Sequence, residues 1–193
     1  MDSLAREHVL PRLRGRFGRE YIYVERCPST QRLLDRESPE GSVAVTEEQT
    51  EGRGRLGRSW LAPARSSVLV SLKLVPPVDP NRLPGLTLVA GEACATAISS
   101  VTGLQTAIKQ PNDVLLKGRK VAGILAEANE GHVVLGIGIN VNQTEQELPA
   151  ETNPPATSLR LESGGLVDRA ELLAQLLLEL ERRYDGWVST GAL

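Results

Sequence analysis

The sequence predicts an α+β fold in which a mixed, largely antiparallel sheet is packed by helices. Three observations carry that prediction. Most strand-like segments follow one another as hairpins, with turn residues between them rather than helices. Only two long stretches, Leu86–Val101 and Asp168–Trp187, carry apolar residues at the helical period of 3.6. Aromatics are 3% of the 193 residues, so the core between sheet and helices must be built from Leu, Val, Ile and Ala.

Residues 1–20 carry five arginines (Arg6, Arg12, Arg14, Arg16, Arg19) against three acids and read as a basic, solvated, partly helical lead-in. Tyr21–Glu25 (YIYVE) is a strand by its aromatic and β-branched composition. Ser29 or Thr30 is placed to cap a short helix over Gln31–Glu37. Val43–Thr46 and Val68–Leu74 are strands, the second ended by Pro76-Pro77, because proline cannot join the ladder. Leu86–Val101 presents Leu86, Val89, Ala90, Ala93 and Ala97 on one helical face, and Gly103 stops it. Leu104–Ile108, Val114–Leu116, Val121–Ala128 and His132–Val141 form a meander, turned at Pro111-Asn112-Asp113 and Lys117-Gly118-Arg119-Lys120. Gln143–Ser163 reads as a polar, proline-bearing loop. The closing helix aligns Leu173, Leu176, Leu177, Leu180, Tyr184 and Trp187.

Composition narrows the function classes. A formal net charge of −2 gives no global case for nucleic-acid binding. Cys27 and Cys94 have no Cys or His at ligand spacing, so a structural zinc site is not expected and both read as buried, reduced thiols. His8 and His132 belong to no catalytic constellation. No signal peptide is recognisable, and no run is expected to reach the ~18 apolar residues of a membrane span, which points to the cytoplasm.

Three segments carry chemistry. Glu51-Gly52-Arg53-Gly54-Arg55-Leu56-Gly57-Arg58-Ser59-Trp60 has three glycines in six residues, so its backbone approaches a ligand closely and its N–H groups can form an anion nest. Its arginines supply forked donors for carboxylate or phosphate, and Trp60 a flat face for a ring. The bland alternative is a flexible surface or RNA-contacting run. Lys109-Gln110-Pro111-Asn112-Asp113 and Lys120-Val121-Ala122-Gly123 place two lysines on strands joined by turns; taken alone they are a turn and a hairpin tip. Gly136-Ile137-Gly138-Ile139-Asn140-Val141-Asn142 puts glycines inside a strand, where either a ligand or a neighbouring element packs closely. Arg53, Arg55, Arg58, Lys109 and Lys120 together would suit two anionic reactants brought together. Unit charges ~4 Å apart repel by ~4 kcal/mol at an effective dielectric of ~20, and fixed cations offset that.

In this order, Ser29-Thr30, GRGRLGRSW, KQPNDV, KVAGILAE and GIGINVN resemble the catalytic domain of biotin–protein ligases over roughly Tyr21–Asn142, more weakly through Ala156–Leu159. The resemblance implies the biotin/lipoyl ligase fold, related to class II aminoacyl-tRNA synthetases. It implies a two-step reaction in which biotin and MgATP give biotinyl-5′-adenylate, which then acylates a lysine of a biotin carboxyl carrier protein, the acetyl-CoA carboxylase subunit. Carried over by motif, Ser29, Thr30, Gln49, Gly52, Arg53, Arg55, Lys120 and Gly123 fall to biotin. Arg55, Arg58, Trp60, Lys109, Asn112, Asp113, Lys120 and Asn140 fall to ATP. Arg55 and Lys120 are the implied catalytic pair, and Asp113, with Asn112, the implied hold on Mg²⁺. The glycine–arginine run is expected to order over the ligand, and homodimerisation through a sheet edge is also implied.

The sequence departs from the family pattern at Gln110, where tryptophan is usual, and at Gln31, where asparagine is usual. It ends at Leu193, so one catalytic domain over residues 1–193 is expected, without the small C-terminal β-barrel or an N-terminal DNA-binding domain. A lipoyl or octanoyl transferase, a non-catalytic biotin binder and nucleic-acid contact through the N-terminal arginines are the competing readings.

Overall fold

The computed structural model describes residues 2–129 and 131–190. Seven strands form one sheet: β1 Tyr21–Cys27, β2 Val43–Gln49, β3 Ser67–Leu74, β4 Ala107–Lys109, β5 Asp113–Leu116, β6 Arg119–Asn129 and β7 His132–Asn140. Their order is β1-β2-β3-β7-β6-β5-β4, parallel between β1 and β2 and antiparallel elsewhere. The mixed, largely antiparallel sheet is therefore as the hairpin spacing predicts. Lys117 and Gly118 both take positive φ (49° and 80°), which closes the β5–β6 hairpin with the twist that antiparallel strands require.

The strands at the centre explain how the sheet serves two layers. Because side chains alternate, Val68, Val70, Leu72 and Leu74 of β3 and Leu135, Ile137 and Ile139 of β7 all enter one core cluster. The intervening Leu69, Ser71, Gly136 and Gly138 belong to the opposite face. Helices α2 (Leu86–Thr102) and α4 (Arg169–Thr190) pack on each other over the core face. Helix α2 uses the small residues Ala90, Ala93, Cys94 and Ala97 for close approach, and ends on Gly103 at φ 74°. On α4, Leu172, Leu173, Leu176, Leu177, Leu180, Tyr184 and Trp187 are buried, and Asp168 Oδ1 caps the helix by accepting from the N–H groups of Ala170 and Glu171.

Three expectations are corrected. Segment Pro80–Thr102 is long and apolar enough, by length and composition, to cross a membrane (mean hydropathy 1.2). Here it includes the core helix α2, whose buried face lies in the main cluster. The helix expected over Gln31–Glu37 is only a 3-10 turn, Thr30–Leu33, without a side-chain cap. The Thr30 hydroxyl is engaged elsewhere, and Leu34 leaves in extended conformation to join Ala44 and Val134 in a second small cluster. The loop after Gln143 contains a short helix, α3 (Leu159–Ser163), capped by Ser158 and ended by Gly164 at φ 80°.

The N-terminal segment is partly helical with its five arginines exposed, as expected, and it is also anchored to the core. Helix α1 (Arg6–Val9) follows a buried Leu4, and Val9 and Phe17 are buried with it. The Arg6 guanidinium donates to the Tyr21 carbonyl, Arg12 pairs with Asp168 and Glu171, and Arg16 with Glu181 and Asp185. Arg169, fully buried, binds Asp2 at 2.7 Å, Glu47 at 2.6 Å and the Ser67 carbonyl at 3.1 Å. It thereby ties the N-terminus, β2 and β3 to the start of α4. The two cysteines are free and buried, and burial alone pushes the Cys94 thiol up to about 12.

Candidate active site

The face of the sheet opposite α2 and α4 carries a cavity of about 540 Å³. Its floor is made by the absence of side chains. Gly123 of β6 and Gly138 of β7 are direct cross-strand partners, as are Leu125 and Gly136. A Cβ at Gly138 would lie 2.6 Å from Trp60 Cε2, and one at Gly123 2.8 Å from Trp60 Cζ3. At Gly136 it would stand 3.1 Å from Gln31 Nε2. The paired glycines thus form a bed on which the Trp60 ring lies. The close approach inferred from GIGINVN is real, and its immediate beneficiary is Trp60.

The glycine–arginine run closes over this bed as a small excursion between β2 and β3. The Trp60 N–H donates to the Gly52 carbonyl at 2.9 Å and the Gly54 N–H to the Arg58 carbonyl at 2.7 Å, while Arg53 and Ser59 pair antiparallel. At the tip, Leu56 (φ 57°) and Gly57 (φ 73°) reverse the chain. Gly52 does not line the cavity; it is required because a Cβ there would meet the Trp60 carbonyl oxygen at 2.2 Å. Its job is to let the two ends of the lid touch.

One end of the cavity is polar and uncharged. Gln49 Oε1 accepts from the Thr30 N–H at 2.8 Å and from its hydroxyl at 3.1 Å, and the Thr30 hydroxyl lies 2.7 Å from that of Ser71. Ser29 lines the same end. The other end is cationic. Lys120 Nζ stands 2.7 Å from Asp113 Oδ1, in a contact held by charge rather than by a well-aligned hydrogen bond, and 5.7 Å from the Trp60 ring centre. Arg55 donates to the Asn112 side-chain oxygen at 3.2 Å, and Arg58 lines the wall. Segment 149–156 closes this end: Lys120 N–H donates to the Pro155 carbonyl and Thr157 N–H to the Lys120 carbonyl.

The structure therefore gathers twelve of the fourteen expected residues around one cavity: Ser29, Thr30, Gln49, Arg53, Arg55, Arg58, Trp60, Asn112, Asp113, Lys120, Gly123 and Asn140. Gly52 and Lys109 are not among its lining; Lys109 sits on the edge strand β4, in register with Asp113. Arg53 lines the cavity, yet its guanidinium is occupied by Glu127. The Asn140 amide is also spent, donating to the Thr157 carbonyl and accepting from Gln143. Sequence reading missed Ser71, whose only signal was a hydroxyl in the middle of VLVSLKL, and segment 149–156.

Among the described residues, no three His, Cys, Asp or Glu side chains come together to hold a metal. Asp113 offers a single carboxylate, already facing Lys120. The Trp60 indole N–H, Gln31 Oε1 and Thr152 Oγ1 are buried at this site with no partner among the described residues. Buried polar atoms without partners are costly, and these three are available to a polar group that enters the cavity.

Residues 23–143 match the family model described as the Biotin/lipoate A/B protein ligase family. The bifunctional ligase/repressor BirA of Bacillus spizizenii is 40% identical over 183 residues, covering 90% of this chain and 56% of that protein. A biotin–[acetyl-CoA-carboxylase] ligase of Mycobacterium tuberculosis is 41% identical over 152 residues, covering 77% of this chain and 56% of its own. The chain thus spans about half the length of the curated relatives it matches. Among solved structures, a biotin protein ligase from Aquifex aeolicus in complex with biotin and ATP superposes with a TM-score of 0.81 at 35% identity, covering 89% of this chain and 73% of that one. By its motifs, its sheet and these similarities, the chain belongs to the biotin/lipoate A/B protein ligase family.

Proposed function

We propose that this chain is the catalytic domain, residues 1–193, of a biotin–protein ligase. It would activate biotin with ATP to biotinyl-5′-adenylate and then acylate a lysine of a biotin carboxyl carrier protein in the cytoplasm. The observation that carries this reading is the division of one covered cavity into a neutral hydrogen-bonding end and a cationic end. A cyclic urea with an aliphatic acid chain needs that division, because its ring seeks neutral donors and acceptors and its carboxylate seeks cations.

On this reading Ser29, Thr30 and Gln49 receive the ring of biotin, with Ser71 fixing Thr30 from behind. Gly123 keeps the floor low, and Gly52 and Arg53 shape the lid above it. Lys120 and Arg55 flank the point where the biotin carboxylate oxygen attacks the α-phosphorus and pyrophosphate departs. Both are cations aimed at charge that grows in the transition state, where removing one such donor costs ~10²–10³-fold in rate. Trp60 offers its ring face, and Arg58, Asn112, Asp113 and Asn140 line the nucleotide side, with Lys109 next to Asp113 on the sheet edge. The Lys120–Asp113 pair holds the lysine in place before ligand arrives. The amine of the carrier lysine then attacks the acyl carbon and AMP leaves.

Magnesium enters such a reaction by neutralising phosphate charge. Of the residues expected to hold it, Asp113 and Asn112 line the cavity, so the phosphates and water would supply most of its ligands. The residues suit a metal that arrives with the nucleotide, rather than a resident one.

Biotin-dependent, lipoate-independent exchange of labelled pyrophosphate into ATP, followed by biotin transfer to a carrier domain, tests both half-reactions. Biotin binding without exchange would reduce the protein to a non-catalytic binder. Exchange driven by lipoate would move it to the other branch of the family.

A further inference from the structure

We infer that Glu127 is a positioning residue that latches the lid shut through Arg53, an inference that rests on the proposed function for its consequence but not for its geometry. Glu127 lies on β6, two residues beyond Leu125, and does not line the cavity. Its two carboxylate oxygens take both terminal nitrogens of Arg53, Nη1–Oε2 at 3.0 Å and Nη2–Oε1 at 2.7 Å. This forked geometry resists pivoting in a way that a single contact does not. Among the described residues, no other ion pair joins the lid to the sheet; Arg55 reaches only the neutral Asn112 amide.

The position of the pair decides what it does. Arg53 opens the lid and pairs with Ser59 at its other end, so holding Arg53 holds both ends of the excursion. The lid also carries Trp60 onto the glycine bed. A guanidinium forked onto Glu127 is not free to meet a ligand anion in the cavity. Arg53 therefore contributes lid closure, and the anion-facing work falls to Arg55, Arg58 and Lys120. The two side chains are 46% and 29% exposed, so the pair is reachable by solvent and weakened by salt. A lid held this way opens often enough to admit ligand and stays closed long enough to keep an anhydride from water.

Two arms test the latch. Without ligand, trypsin cleavage after Arg55 and Arg58 reports the open lid. Glu127→Gln should raise that cleavage about five-fold at about 0.05 M salt. Raising salt to about 0.5 M should bring wild type toward the variant, and the swap Arg53→Glu with Glu127→Arg should restore protection. With biotin and MgATP, dissociation of labelled biotinyl-adenylate into an unlabelled chase should quicken about five-fold in Glu127→Gln, while its single-turnover formation stays within about two-fold. Equal cleavage in variant and wild type at low salt, or a swap no better protected than Glu127→Gln, overturns the latch. If wild type forms no adenylate at all, the proposed function fails while the cleavage arm still decides the latch.

Discussion

Gly138→Ala adds one methyl group at the most crowded point of the glycine bed. Its Cβ would lie 2.6 Å from Cε2, 2.8 Å from Cζ2 and 3.0 Å from Nε1 of Trp60. Carbon pairs rest at ~3.5–4.0 Å, so the ring must retreat by roughly 1 Å. Toward β6 it meets the Lys120 side chain, whose Cε and Nζ lie beside the same glycine, each 3.3 Å from where a Cβ at Gly123 would stand. It must lift off the sheet, and the lid lifts with it. The strand itself is not harmed: Gly138 is not among the positive-φ glycines, and alanine in a strand interior is worth about 0.5–1 kcal/mol over glycine. Urea unfolding should therefore show unchanged or slightly raised stability. A ~1 Å misplacement of a positioning group costs ~10²-fold, which is the expected fall in kcat/KM for biotin-dependent pyrophosphate exchange. Because the clash is with one ring, Trp60→Ala combined with Gly138→Ala should be no worse than Trp60→Ala alone. Gly138→Ala with exchange within about three-fold of wild type and an intact fold would refute the bed.

Lys120→Ala should cut adenylate formation by ~10²–10³-fold in the same exchange assay, with far-ultraviolet circular dichroism unchanged, because its side chain faces the cavity. Arg169→Ala leaves the buried Glu47 carboxylate without its ion partner, and a loss of about 3–5 kcal/mol is expected from urea denaturation; a loss under about 1 kcal/mol would show that the network is ornamental. Burial pushes the Glu162 carboxyl up, but the Thr157 hydroxyl, Lys117 and Arg119 outweigh it and hold the group below its ordinary 4.5. A carboxyl lowered in the folded state contributes stability above 4.5 that disappears as pH falls through the folded value. Glu162→Gln should accordingly flatten the loss of stability below about pH 5 in acid titrations, and an unchanged slope would count against the assignment.

What could be read from the sequence was whatever depends on local rules. Strand alternation places Leu135, Ile137 and Ile139 in the core and frees Gly136 and Gly138 for the other face, so the period of two is enough to find the site-facing glycines. Lys117-Gly118 announces its turn by the same logic. What could not be read depended on partners distant in sequence. Arg12 and Arg16 look like part of a free basic run until Asp168, Glu181 and Asp185, more than 150 residues away, supply their counter-charges. Thr30 looks like a helix cap until Gln49 and Ser71 claim its hydroxyl. Helix α3 is a different failure: Ser158 and Gly164 are both present as cap and stop, but the prolines before them carry the stronger signal, that of a loop.

The arginines and lysines of the site show the same limit with a chemical consequence. A sequence supplies five cations in and around one cavity, and their sum suggests a trap for any polyanion. In the folded chain most have a resting partner, and the partners differ in strength. Arg53 is forked onto a carboxylate outside the cavity, Lys120 faces the carboxylate of Asp113, and Arg55 rests on a neutral amide. A charged partner is harder to displace than a neutral one, because an arriving anion must also overcome the attraction between the two unlike charges. An arriving anion should therefore recruit Arg55 first, share Lys120 with Asp113, and leave Arg53 in place. On this ordering a lone phosphate gains little, whereas a ligand that meets the neutral end and the cationic end together recovers the cost of displacing each partner. On the proposed function, selectivity for a joined adenylate over its separate pieces would follow from the resting partners as much as from the cations.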